Sequence, residues 1–458
     1  MLSMKKYDLL SISPIDGRYF EVCHGMAEHF SEYALIKNRV LVEIKWLIFL
    51  SDLKEVKTFP KLNATSRNFL LKIYNNFSIK DAEKIKKFEA TTKHDVKAVE
   101  YFIKDKIKTQ SILKKYLEYV HICCTSEDIN NLAYARMISE GKILLKSKMD
   151  FLNKLIIRFA KKYSKDVMIS HTHGQVATPT TMGKEFLNFY SRLSSLSNEF
   201  SSIKVFGKFN GATGNYSSHS ITFPNINWPK VNKKFIESLK IEENKYTTQI
   251  EPHDYICNLS DKLSHYNSVL IGFSQDIWSY ISKNYFVQKN IKGEIGSSTM
   301  PHKINPINFE NAEGNLGISN SLSKFFSEKL VISRLQRDLS DSTVMRNIGL
   351  AFSYSYLAYD NIITGLKKIS LNKTCIDDDL SNAWEVLAEP IQMVARKYNI
   401  TNSYEILKKE TRGKPVTQSI IKKIINKLNI PPIEKKNLLA LTPKKYIGYS
   451  IKLCDDAK

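Results

Sequence analysis

The stretch ICNLSDKLSHYNSVLIGFSQDIWSYI, residues 256–281, carries apolar side chains at Ile256, Leu259, Leu263, Tyr266, Leu270, Phe273, Ile277 and Ile281. The steps alternate between three and four residues, so on a helix of 3.6 residues per turn they form one continuous stripe. The spacing predicts a helix of about seven turns with one face buried against neighbours. Similar spacing recurs over 144–159, 186–200 and 350–366, while strand-like alternation is scarce. The fold class is therefore mainly α. Long helices with such repeats pack near-parallel as bundles, and stripes of this length exceed what one chain can cover, so association of subunits into a multi-helix core is expected.

Glycine and proline punctuation around this bundle divides the chain into three expected segments. They are an N-terminal helical domain over 1–112, a central long-helix bundle over 113–365, and a small helical domain over 366–458. The full length of 458 residues, 43% hydrophobic and 25% charged, suits a globular protein with a substantial core. The longest apolar run is Trp46–Leu50, far short of the roughly 18 residues needed to cross a bilayer. The opening MLSMKKYDLL lacks the apolar centre and small-residue cleavage site of a signal peptide, so a cytoplasmic location and no membrane partner are expected. The cysteines Cys23, Cys123, Cys124, Cys257, Cys375 and Cys454 show no CxxC spacing, and no HExxH occurs. No disulfide framework, metal or cofactor is expected from them.

A formal net charge of +22 raises the question of nucleic acid, because basic surfaces release counterions from phosphate backbones. Distribution argues against it. Only 11 of the 68 basic residues are arginine, and the lysines are dispersed rather than blocked or interleaved with aromatics. The remaining consequence is a positive field that steers small anions toward a cleft.

The richest candidate for chemistry is GEIGSSTMPHKINPINFENAEGN, residues 293–315. Gly293, Gly296, Ser297, Ser298, Thr299 and two prolines disfavour helix and permit movement. Lys303 and Asn305 follow just before a helix expected to begin near Asn308, whose N-terminal dipole favours an anion. A cation, an amide and a helix end thus gather next to a pair of hydroxyls. A second cluster is Arg334, Arg337 and Arg346 beside Ser342 and Thr343, notable in so arginine-poor a chain. Guanidinium forks suit phosphate, and Arg18 with Tyr19 after a Pro-x-Asp-Gly turn adds a further candidate.

GSSTMPHKINP (296–306) resembles the signature of the fumarase/aspartase superfamily. Within it the chain is similar, over nearly its whole length, to the adenylosuccinate lyase family. The resemblance runs through SPIDGRY (13–19), KHDVKAVEY (93–101), TSEDINN (125–131), THGQ (172–175), TTQIEPHDY (247–255) and RLQRDLSDSTVMRN (334–347). It implies a homotetramer with active sites shared between subunits, acting on a small nucleotide substrate. The implied reaction is β-elimination of fumarate from adenylosuccinate or from the succinylated aminoimidazole carboxamide ribotide, cleaving a C–N bond.

That elimination removes a proton from carbon beside a carboxylate and expels a poor nitrogen leaving group, so it needs a base and an acid. The resemblance makes Ser297 the base and His173 the acid. An imidazole, with an ordinary pKa near 6.5, suits proton delivery near neutrality. A serine base needs its alkoxide stabilised, for which the Gly296–Thr299 amides and Lys303 are candidates. Lys303 and Asn305 also hold the carboxylate that becomes enolate-like. By the same resemblance, Arg18, Tyr19, Ser342 and Arg346 bind the nucleotide, and Arg337 and Gln249 lie in the site. Thr125 with Ser126 meets a carboxylate, and His94 binds near the substrate and orients the acid. Lys93, Asp95, Ser298, Asn311 and Thr343 complete the expected substrate contacts, while His171 is left out. Two alternatives are another fumarate-releasing lyase, which needs no phosphate site, and a non-catalytic basic helical protein that binds RNA.

Overall fold

The structure is a computed structural model that describes residues 9–59, 61–289, 291, 293, 299–413 and 415–457. It is mainly helical. The 256–281 stripe lies within a helix over Asp254–Ser282, and the other expected helices fall within Ser126–Lys162, Met182–Ser202 and Ile348–Lys368. Leu259, Leu263, Tyr266, Leu270, Phe273 and Ile277 are all buried, as the periodicity requires. No helix among the described residues is long and apolar enough to cross a membrane.

The chain forms two compact units. The first comprises 1–149, 196–268 and 314–360. One centre of its core is aromatic. Trp46, which is fully buried, has its ring centroid 4.5 Å from Phe209 and 4.9 Å from Phe235, and Phe209 and Phe235 are 4.8 Å apart. A second centre is polar. Asn267 donates to Ser319 Oγ at 3.2 Å and Ser355 Oγ at 2.9 Å, and accepts from the Tyr359 hydroxyl at 2.6 Å. Ser319 also donates to the Ala351 carbonyl at 2.8 Å. Each group is buried and satisfied, and a network of this kind fixes the register of the helix segments it joins.

The second unit comprises 150–195, 269–313 and 361–458. Phe159, Phe186, Phe273 and Phe286 pack its core, with Phe159–Phe186 and Phe186–Phe273 centroids 5.3 and 5.6 Å apart. It ends in short helices, among them Lys373–Asn382, Ala388–Lys397, Gln418–Lys427 and Pro432–Leu439. Among its described residues the longest β feature is an antiparallel hairpin of Val167–Thr172 with Gln175–Thr181, irregular between Met168 and Ser170. Helical periodicity gives no sign of this hairpin. Its sequence signals are the β-branched run VATPTT (176–181) and the turn at Gly174.

Candidate active site

The hairpin explains how His173 is presented. Thr172 pairs with Gln175, leaving His173 and Gly174 as a two-residue turn with φ of 53° and 73°. Positive φ at both positions is the twist that tight hairpins need, and histidine is among the few non-glycine residues that tolerate it. The imidazole is thereby held exposed at the tip of the hairpin. His171 sits on the strand opposite Val176, and burial, followed by the charge of Lys283, lowers its pKa.

In the same unit lies the described part of the loop region. Lys303 N–H donates to the Met300 carbonyl at 3.1 Å, forming a turn, and the Ile304 carbonyl accepts from Gln288 at 2.7 Å. The helix Ile307–Lys329 starts at once afterwards, with Lys303 exposed and Asn305 and Asn311 half-buried. Ser297 and Ser298 lie outside the described residues.

The first unit gathers most of the other candidates. His94 caps the helix Asp95–Lys108, its Nδ1 accepting from the Lys97 amide at 3.2 Å. That leaves Nε2 3.5 Å from the Ser126 hydroxyl, at the first turn of the Ser126–Lys162 helix. Lys93 precedes it in a left-handed conformation, φ 54°, that ends the helix Ile79–Thr92. Asp95 accepts from Arg39 Nη2 at 2.7 Å, lies 3.4 Å from Arg346 Nη2, and accepts from the Val96 amide at 2.9 Å. Burial opposes its ionisation, yet Arg39, that amide and Arg346 together hold its carboxyl below the usual range. Arg346 pairs in turn with Glu32. Both line a cavity of about 370 Å³ bounded also by Ser13, Cys23, Phe30 and Ser353. Arg18 is exposed, its guanidinium 5.8 Å from the ring of Tyr19.

Deeper in this unit Arg337 donates to Gln249 Oε1 at 3.1 Å and pairs with Glu127 Oε2 at 3.2 Å. Burial raises the Glu127 carboxyl to about 7 against the pull of Arg337. The Thr125 amide donates to Asp128 at 2.9 Å. Asp128 forms a fully buried pair with Lys208 at 3.0 Å and also accepts from the Asn210 and Gly211 amides. Ser342 and Thr343 lie on the short helix Ser340–Met345, for which Arg346 is the C-cap, while Arg334 is exposed nearby.

The structure therefore brings His94, Asp95, Ser126 and Arg346 into one neighbourhood, and Gln249 and Arg337 into another. Sequence reasoning missed Arg39, Glu32, Glu127, Asp128, Lys208 and the His253–Asp341 contact. Glu127, Asp128, His253 and Asp341 stand inside motifs already singled out, and for Glu127 and Asp341 a place beside an expected substrate contact was the available signal. Arg39 and Lys208 carried none. Among the described residues no cluster of three or more metal-ligating side chains occurs.

The family described as "Lyase" matches residues 17–318, and that described as "Adenylosuccinate lyase C-terminal" matches 333–447. The adenylosuccinate lyase of Buchnera aphidicola subsp. Schizaphis graminum is 49% identical over 99% of this chain and 100% of its own. That of Legionella pneumophila (strain Corby) is 48% identical over 97% and 98%, and that of Escherichia coli (strain K12) 44% over 99% and 100%. A fumarate lyase from Mesorhizobium sp. BNC1 superposes with a TM-score of 0.76 at 14% identity, covering 94% of this chain and 97% of that one. A β-carboxy-cis,cis-muconate cycloisomerase from Acinetobacter calcoaceticus gives 0.72 at the same identity. These two share the fold.

Proposed function

The chain belongs to the adenylosuccinate lyase family of the fumarase/aspartase superfamily, and from that membership we propose how its residues divide the work of eliminating fumarate. The protein is an enzyme, a carbon–nitrogen lyase of purine nucleotide biosynthesis that releases fumarate from adenylosuccinate and leaves AMP. The succinylated aminoimidazole carboxamide ribotide presents the same C–N bond and is the second substrate of this reading.

Ser297 takes the proton from the carbon beside the succinyl carboxylate. The electron pair left on carbon forms the double bond of fumarate as the C–N bond breaks. The departing purine nitrogen takes that bond's electrons and a proton from His173. Lys303 and Asn305 hold the carboxylate on which charge grows, where a fixed cation stabilises the transition state more than the ground state. Thr125 and Ser126 receive the other carboxylate, beside His94. Arg18, Tyr19, Ser342, Thr343 and Arg346 take the nucleotide, with Arg337 and Gln249 in the same site, and Lys93, Asp95, Ser298 and Asn311 complete the contacts. The sites are shared between subunits of a homotetramer in the cytoplasm, and the three-segment division at about residues 112 and 365 belongs to this reading.

The observation that carries the reading is His173, exposed at a hairpin tip in a left-handed conformation that costs backbone energy. A tight turn that takes histidine where asparagine or aspartate is commoner supports a role for the exposed ring. The arginine-bearing segment 334–346 favours a nucleotide over a substrate without phosphate. Purified protein mixed with adenylosuccinate and followed by absorbance tests the function. His173→Ala and Ser297→Ala are each expected to lower kcat by about 10²- to 10⁴-fold or more while substrate still binds. Turnover of argininosuccinate instead of adenylosuccinate would overturn the substrate assignment. Activity restored by mixing the two inactive variants supports shared sites.

A further inference from the structure

The motif segment 247–255 contributes a buried imidazole that reaches the segment 334–347 and that the reaction above does not use. His253 is 2% exposed and adopts a left-handed φ of 66°. Its backbone amide donates to Glu251 Oε2 at 2.8 Å, and its Nδ1 lies 3.7 Å from the same oxygen. On the other side Nε2 lies 3.3 Å from Asp341 Oδ2. Asp341 accepts with its other oxygen from the Ser342 amide at 2.6 Å. The ring thus ties the strained Glu251–His253 turn to the first turn of the helix Ser340–Met345, which carries Ser342 and Thr343 and ends on Arg346.

We propose that His253 is a positioning residue for substrate binding, its ring held between Glu251 and Asp341 so that the Ser340–Met345 helix aims Ser342, Thr343 and Arg346 at the anionic end of the substrate. The inference rests on the nucleotide-binding role given to those residues above. The charged groups facing the ring are Glu251 on its own segment, Asp341 from the short helix, and Glu127 from the start of the Ser126–Lys162 helix. Arg337 and Lys208 bear on Glu127 from further segments, and Asp254 bears on Glu251. Burial works against the charged ring, but the Asp341 hydrogen bond, Glu251 and Glu127 outweigh it and raise its pKa above the ordinary 6.5. The clamp is accordingly released as pH rises through that raised value, and it weakens at low pH, where Glu127, raised to about 7, and Glu251, also raised by burial, take up protons.

The test measures KM and kcat for adenylosuccinate between about pH 6 and pH 9 in wild type, His253→Leu, His253→Gln and Arg346→Ala. His253→Leu is expected to raise KM about tenfold with kcat changed less than about twofold, and to lose the alkaline rise in KM. His253→Gln keeps a neutral donor for Asp341, so its KM should be closer to wild type and equally flat with pH. A wild-type KM in His253→Leu, or an alkaline rise that persists in both histidine variants, overturns the proposal. Should the leucine variant not fold, the pH profile of the glutamine variant decides alone. Raised KM in Arg346→Ala with normal histidine variants sinks this inference only. An unchanged KM in Arg346→Ala sinks the nucleotide reading and this proposal with it.

Discussion

The guanidinium of Arg346 pairs with the carboxylate of Glu32, 314 positions away in the chain, while its second terminal nitrogen lies 3.4 Å from Asp95. A phosphate drawn to Arg346 must compete with two carboxylates for the same donors. The arrangement keeps the cation oriented and at the same time weakens its hold on an anion.

Removing the competitor should therefore help binding. Glu32→Gln is expected to lower KM for adenylosuccinate by about two- to fivefold, whereas Arg346→Ala raises it. The pair is roughly two-fifths exposed on both sides, so its net contribution to stability is no more than about 1 kcal/mol and the thermal midpoint should barely move. A raised KM in Glu32→Gln would show that Glu32 serves binding.

Lys208 and Asp128 form an ion pair with neither side chain exposed, the ammonium also donating to the Gly211 carbonyl at 2.8 Å. Lys208→Met strands a buried carboxylate and should cost about 3–5 kcal/mol in denaturant unfolding. The double variant Lys208→Met/Asp128→Asn, which removes the stranded charge and keeps an acceptor for the Thr125, Asn210 and Gly211 amides, should recover part of that loss. A single-variant loss below about 1 kcal/mol would contradict the buried-pair account.

Glu127 gives a pH signature. Its carboxyl is raised from 4.5 to about 7 by burial, so the folded state binds a proton more tightly than the unfolded one, and ionising it costs stability as pH rises through that window. Glu127→Gln removes the titration. The difference in thermal midpoint, variant minus wild type, should grow more positive from pH 5 to pH 8. A difference that stays constant or falls over that range refutes the assignment.

Gly183 opens the helix Met182–Ser202 against backbone, since a Cβ there would lie 2.3 Å from the Ala160 carbonyl oxygen and 2.6 Å from Ser164 Cα. Backbone cannot step aside as a side-chain tip can. Gly183→Ala should destabilise by about 1–3 kcal/mol. Gly25→Ala, inside the helix Phe20–Phe30 with only Leu144 Cδ2 at 3.8 Å, should instead be neutral or stabilising by about 0.5–1 kcal/mol. Equal effects at the two positions, read by thermal unfolding, would contradict the packing argument.

Much of the helical framework is legible in the chain itself. The three- and four-residue steps of 256–281 place Leu259, Leu263, Tyr266, Leu270 and Phe273 on one side, and those side chains are buried. Burial of a stripe depends on local periodicity, a property of consecutive residues. The motif strings likewise locate His94, Ser126, Arg337 and Arg346 as candidates, because each carries its chemistry in its own residue type.

What those residues touch is a different matter. The pairing of Arg39 with Asp95, of Glu127 with Arg337, and of His253 with Asp341 joins positions 56, more than 200 and 88 residues apart. No local pattern encodes such partners, since a buried charge needs only an opposite charge nearby in space, and the chain path decides which one arrives. The hairpin that presents His173 is a different case: its strands pair locally, Thr172 opposite Gln175, and its signals, the β-branched run and Gly174, are in the sequence but stand outside the helical periodicity. The sequence by itself determined the helical framework and the chemical inventory, both set by near neighbours. Only the tertiary structure decided which charges compensate one another and how each side chain is aimed, because electrostatics and packing act through space.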